Sequence, residues 1–469
     1  MKYLIMSCLL ALAAAELHAQ CSCEPLGKQL SGDPIIVSTE GELRAAISAG
    51  LPNRDIVLRN GRYRLFDPIE VTVPGLVIRS ESGIRDSVRI EGGGFGGALY
   101  GLIVKQGNFT LSGVTIETFQ NSGLLIRPSS PTGNFHIHNV AILNSGPVAM
   151  TAHPNGHLLA NLTVECSLFE WTLRGTDRIA IKADSSGNMT IRDSRFVRVG
   201  GLSGSAAAIV AGPETMNLSV ERNVFIDCNK AVVIGDTTNP AAEVMNVAVE
   251  GNMITGGEFS QSGIVLSGVL AGGVTHNTIY SPEGESDWSI ELRHANSIAV
   301  SIIDNLADKP IALRDGADPA ANTSENNIAN ITAQSFRNAS TGDLHLVAGS
   351  PAIDQAMNPL SEDIDCERVQ GSAGDVGADE YSAPAGVDRP AHAKDYRIAY
   401  DRGLGIVSVT SDPERSVELE LVDMAGRGIA AERAAGSVEI STAGLPAGAY
   451  LLVIEIGGTR NVEKIRIGD

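Results

Sequence analysis

Six basic residues each close a short apolar run: Arg79 in GLVIR, Lys105 in GLIVK, Arg127 in GLLIR, Lys182 in IAIK, Arg293 in IELR and Arg314 in IALR. Successive side chains of a strand point to opposite faces. With the first and third apolar residues inward, the residue after the triplet points out. Thr151, Ala211, Gly235 and Ser267 hold the same place in VAMT, AIVA, VVIG and IVLS. If these runs stack, like charges stand about 4.8 Å apart and repel by about 1 kcal/mol per pair in water. An acidic chain along the column would relieve that repulsion, and so would the nearby carboxylates Glu81, Asp184, Glu291 and Asp315. Both readings stay open. Trp171 and Trp288 are large rings that could stack on sugar faces or pack in a core.

Carboxylates paired about 5–9 Å apart would instead suit glycoside hydrolysis. Asp177, Asp184 and Asp193 occur near Lys182, and Glu291 and Asp315 fall in neighbouring runs, but neither set has a distinctive motif. No phosphate-binding glycine loop, HExxH zinc motif or GxSxG elbow is present.

The elements that must hold these residues repeat. From residue 75 an apolar strand, a polar turn and a second β-rich stretch recur, often ending in Asn before an apolar residue, as in ERNVF, EGNMI, THNTI and IDNLA. The intervals between Asn223, Asn252, Asn277 and Asn305 are 29, 25 and 28 residues. A period in the twenties with period-two alternation inside each strand predicts a β-solenoid, whose coils bury their inward faces only by stacking. A propeller blade would take about 40 residues and a leucine-rich repeat a stricter leucine frame. Those asparagines are expected to align at one corner as an amide ladder satisfying turn backbone.

The 469 residues carry 35 Lys+Arg against 55 Asp+Glu, a net charge of −20, which argues against general binding to nucleic acid or anionic membrane. Residues 1–20 combine Lys2, a short apolar run from Leu4 to Ala15 and small residues such as Ala19, the parts of an export signal. No later stretch is apolar enough to span a membrane. Removal of the signal leaves Cys21, Cys23, Cys166, Cys228 and Cys366. An oxidising exterior permits disulfides, but the odd count leaves at least one thiol unpaired within a monomer. Cys166 and Cys228 read as small buried hydrophobes.

The recurring coils resemble the right-handed parallel β-helix proteins of the pectin-lyase-like fold, over roughly residues 35–330. TEGELRAAISAGLPNRDIVLRNGRY (39–63) is similar to their opening. It implies a capping helix at Glu42–Ala49 and a first coil at Asp55–Leu58. The fold class expected is therefore all-β, a right-handed parallel β-helix at 21–381 followed by a small C-terminal β-sandwich. Residues 343–380, with SPAID and DVGADE, look like the choice-of-anchor Q tail of secreted β-helix proteins. Its Asp343, Asp354, Asp363, Asp365, Asp375 and Asp379 are calcium ligands or turn-capping carboxylates. Residues 382–396 read as a linker. Residues 397–469, with DMAGR, GLPAGAYLL and a basic last strand, resemble the C-terminal sorting domain of the type IX secretion system. That implies export across two membranes by the type IX machinery, to the cell surface or beyond.

SIELRHANSIAVSIIDN (289–305) resembles the arginine coil of the chondroitinase B and alginate lyase family. There an arginine sits near the substrate carboxylate, and a lysine one coil earlier removes the proton α to it. The resemblance implies that Arg293 stabilises the carboxylate and developing enolate, with Lys182 or His294 as base. Arg79, Lys105, Arg127, Arg314 and Trp288 would bind an acidic polysaccharide. Here the place one coil earlier falls near Ser267, Lys182 lies four coils away, and the family's acidic calcium pair is missing. An exported polysaccharide lyase and a non-catalytic glycan-binding or structural β-helix therefore both remain as readings, because a solenoid does not itself specify chemistry.

Overall fold

The computed structural model describes residues 21–382, except 22, 28–29, 31, 95, 130–132, 154–158, 173–176, 202–205, 240–242 and 369–372, and the strands between 396 and 467. The export signal at 1–20, the linker over 383–395 and the turn at 424–427 lie outside the described residues. The chain divides into two compact units between Tyr381 and Ser382.

The first unit is the expected parallel β-solenoid. Its strands fall into a twelve-stranded sheet A, running from Ile35–Val37 to Thr323–Glu325, and two ten-stranded sheets. Sheet B runs from Gly61–Arg64 to Leu306–Ala307, and sheet C from Ile69–Val71 to Ile311–Arg314. Each coil visits A, then B, then C, and each strand pairs in parallel with its counterpart in the next coil. Inward residues of all three sheets make one continuous core. Within it Phe169, Phe196 and Phe225 stack, with ring centroids 5.1 and 4.8 Å apart, at the spacing of the coils.

A single left-handed residue turns the chain from sheet A into sheet B. Asn139, Cys166, Asp193, Arg222, Gly251, His276, Asp304 and Asn326 occupy this corner in successive coils, all with positive φ. The next residue points inward and forms the expected ladder. Asn223, Asn252 and Asn277 each donate from both the main-chain N and Nδ2 to the Oδ1 of the next asparagine, at 2.9–3.2 Å, and Asn305 does so to Asn327. A second ladder, not anticipated, runs through the exposed Asn134, Asn161, Asn188, Asn217 and Asn246.

The open end of the solenoid is plugged by the helix Glu40–Ser48, which Thr39 caps and whose Leu43 and Ile47 join the core. It starts two residues before the expected helix, and Ile35–Val37 already pairs with Asp55–Leu58 as an earlier strand of the stack. Beyond the last coil, residues 331–368 and 373–378 fold back on the outer face of sheet B. Phe336, Leu344, Leu346, Ile364 and Val376 pack there on Met253, Leu306 and Tyr280. Cys366 of this tail is joined to Cys21, and Cys23 to Cys166 at the corner. Cys166 is thus not the apolar filler expected, because the corner position turns its side chain away from the core; Cys228 is buried, as expected, with its Sγ 3.5 Å from Phe196 O. The second unit packs a three-stranded and a four-stranded antiparallel sheet around Val407, Val409, Leu419, Leu421, Leu452 and Ile454, a β-sandwich. Among the described residues, no helix is long and apolar enough to cross a membrane.

Candidate functional site

The observed register revises the basic column. Lys105 and Arg127 follow the paired residues Val104 and Ile126 of sheet C, while Arg293 and Arg314 pair directly. Lys182 is out of phase with them. Its neighbours are Thr151 and Val210, and the same row continues through Val233 and Val265 to Glu291. The inward–outward–inward triplet of its strand is Ile181–Lys182–Ala183, two residues later than the reading that began at Ile179. Thr151 shares this shift, and Ala211 points into the core. Arg79 is not on this sheet at all: it lies in sheet A, opposite Ser112. The row actually formed after the triplets reads Lys105, Arg127, His153, Asp184, Gly212, Gly235, Ser267, Arg293 and Arg314, with cations only towards its ends.

Most of these cations also have acidic partners. Arg79 holds the buried Asp55 through Nε and Nη2 at 3.0–3.2 Å, and Lys105 reaches Glu70 at 2.6 Å. Lys182 Nζ lies 3.9 Å from Asp184 Oδ2, and His153 Nδ1 lies 3.4 Å from the same oxygen. Arg293 Nε donates to Asp315 at 2.6 Å and holds that carboxyl below its usual range, while Arg314 donates to Glu291 at 2.7 Å. Asp184, Glu291 and Asp315 thus act as the neutralising acids expected nearby, and Asp55 takes the part expected of Glu81.

The outer face of sheet C therefore has two charged clusters. His153, Lys182 and Asp184 form one; Glu291, Arg293, Arg314 and Asp315 form the other. Four inter-strand steps separate Lys182 from Arg293, about 19 Å. At the second cluster Glu291 is nearly buried although it stands on the outer face, because Ser262 donates to it and Ser286 lies against Ser262. His294 has a left-handed backbone and its Nε2 lies 3.3 Å from Thr237 O. Trp288 is half-buried at the edge of this cluster, whereas Trp171 is fully buried beneath Arg178 and packs in the core. Reading the sequence missed Lys230. Burial pushes its amine below the usual range, and it feels the charges of Glu291 and Arg293. Its position before Val232, outside any repeated triplet, gave no signal.

A separate network lies on sheet A. His136 Nε2 is 2.7 Å from Glu165, and Arg192 donates to the other Glu165 oxygen at 2.7–2.9 Å. The His136 bond, with help from Arg192, draws the Glu165 carboxyl down to about 2. All of its oxygens are engaged, which suits a structural brace.

The tail aspartates mainly cap backbone. Asp363 accepts from the N–H groups of Asp365, Glu367 and Glu380, and Asp375 from those of Asp354 and Tyr381.

No family model and no curated protein matches this chain. Several solved structures are similar to it. The alginate lyase AlyGC of family PL6 is 15% identical, with a TM-score of 0.31 over 63% of this chain and 51% of that one, so this chain spans about half its length. An alginate lyase from Paenibacillus sp. str. FPU-7 is 12% identical, with a TM-score of 0.34 over 63% and 99% of the two chains. A PL6 family polysaccharide lyase from Pseudopedobacter saltans is 12% identical, with a TM-score of 0.32 over 69% and 98%. The likeness is one of fold alone.

Proposed function

We propose that this protein is an exported β-helix that binds an acidic polysaccharide along the outer face of sheet C. The supporting observation is the separation of the two charged clusters along the solenoid axis. A chain lying on that axis meets Lys182 at one cluster and Arg293 and Arg314 at the other, whereas a single reacting carbon cannot meet both. Lys182 is 43% exposed and its surface pair with Asp184 contributes only about 0–1 kcal/mol, so it can exchange that partner for a ligand carboxylate, while Arg314, 42% exposed, can add a ligand carboxylate without leaving the nearly buried Glu291. Lys105, Arg127 and Trp288 would extend the contact. The sandwich unit, in this reading, addresses the protein to the type IX machinery and leaves it secreted or on the cell surface.

Electrophoresis through gels containing alginate, pectate or chondroitin tests this. Migration should be retarded by at least one of them, less so as salt rises, and less in Lys182→Ala and Arg314→Ala. Unchanged migration in all three gels overturns the proposal. A second reading, β-elimination, is favoured by Lys230. A lysine whose amine is lowered by burial is suited to act as a base near Arg293. That reading requires unsaturated products absorbing in the ultraviolet, and their loss in Lys230→Ala. His294 would be the other base to test; Lys182, four strands from Arg293, cannot share a reacting carbon with it.

A further inference from the structure

We propose that His345, Asp365 and Asp379 form a binding site for one divalent cation of the zinc type, in the tail that closes over sheet B. His345 Nε2, one Asp365 oxygen and one Asp379 oxygen lie within 4.8 Å of one another. Nε2 stands 3.0 Å from Asp365 and 4.0 Å from Asp379. Zinc bonds to nitrogen and oxygen of about 2.0 Å set tetrahedral ligand edges of about 3.3 Å, between those two distances. An ion there would draw Asp379 in and push Asp365 out by a few tenths of an ångström.

The surrounding contacts orient these atoms. His345 Nδ1 lies 2.5 Å from Asp343, the carboxylate–histidine arrangement that fixes which ring nitrogen faces a metal. The second Asp379 oxygen accepts from Leu346 N at 2.6 Å, which turns the first towards the imidazole. Asp365 N donates to Asp363, anchoring the third ligand. The ligands come from segments on either side of Cys366, so an ion would tie the strand Asp343–Leu346 to the two later turns of the tail. Asp365 is the most exposed of the three, which leaves water access to a fourth position.

Charge balance points the same way. Three carboxylates surround one imidazole, and Arg337 beside them is 63% exposed and 4.0 Å from Asp343. One imidazole with two carboxylates suits zinc, cobalt or manganese rather than calcium. The other grouping of this kind, Cys21, Asp193 and Cys366, is excluded because its cysteines form a disulfide.

The test uses the full chain, stripped with chelator and titrated with Co2+ by visible absorption and with Zn2+ by calorimetry. One ion per chain is expected, with the cobalt bands of a low-coordinate site. Both signals should vanish in His345→Gln and in Asp365→Asn, the latter guarding against a folding defect in the former. Asp343→Asn should weaken binding about 10–100-fold. Absence of binding by the stripped wild type, or undiminished binding in both ligand variants, overturns the proposal.

Discussion

Lys182 lies in the same row of sheet C as Glu291, two residues out of register with Arg293 and four strands away from it. This offset determines which reactions the surface can host. Two groups that far apart can grip one long ligand, but they cannot act on one bond.

Their contributions to binding an acidic glycan should therefore add. Single Lys182→Ala and Arg293→Ala variants and the double variant, compared by affinity, are expected to agree with simple additivity within about 0.5 kcal/mol. A coupling energy above about 1 kcal/mol would mean that a direct contact exists in the bound state.

Arg79 and Lys105, alike in the sequence, should behave differently when neutralised. Arg79→Gln leaves Asp55, whose side chain is 1% exposed, buried without its partner, at a cost of about 3–5 kcal/mol. Lys105→Gln breaks a surface pair and should cost less than about 1 kcal/mol. Urea denaturation midpoints would rank the two, and equal losses would contradict the assignment of Arg79 to a structural role.

The two asparagine ladders should also separate. Asn252→Ala removes the acceptor for two Asn223 donors and strands the carbonyl of Val220, all buried, for a loss on the order of 3 kcal/mol. Asn188→Ala, in the exposed ladder, should lie within about 0.5 kcal/mol of wild type. Calorimetric unfolding checks both.

Acid sensitivity should trace in part to Glu165. Its folded pKa of about 2 lies below the ordinary 4.5, so its stabilisation is complete above the unfolded value and is lost as pH falls through the folded one. Between about pH 5 and pH 2 the wild type should lose roughly 2–3 kcal/mol that Glu165→Gln does not lose. Parallel pH profiles for the two proteins would remove Glu165 from this role.

Much of the fold could be read from local rules. Alternation within each run and the recurrence of Asn223, Asn252, Asn277 and Asn305 implied stacked coils, because every coil must satisfy the same inward packing and the same corner hydrogen bonds. The helix over the open end was expected from the resemblance of residues 39–63 to the opening of such solenoids, and the structure adds its Thr39 cap and the burial of Leu43 and Ile47.

Phase and pairing needed three dimensions. IAIK and GLIVK both begin as apolar triplets, yet hydrogen bonding to the neighbouring coils shifts the first by two residues and so moves Lys182 out of the basic row. The joining of Cys21 to Cys366, 345 residues apart, and the gathering of Asp343, His345, Asp365 and Asp379 depend on a tail that doubles back over sheet B. Alternation says that a side chain points outward; only the lateral register of the strands says which other side chain it meets.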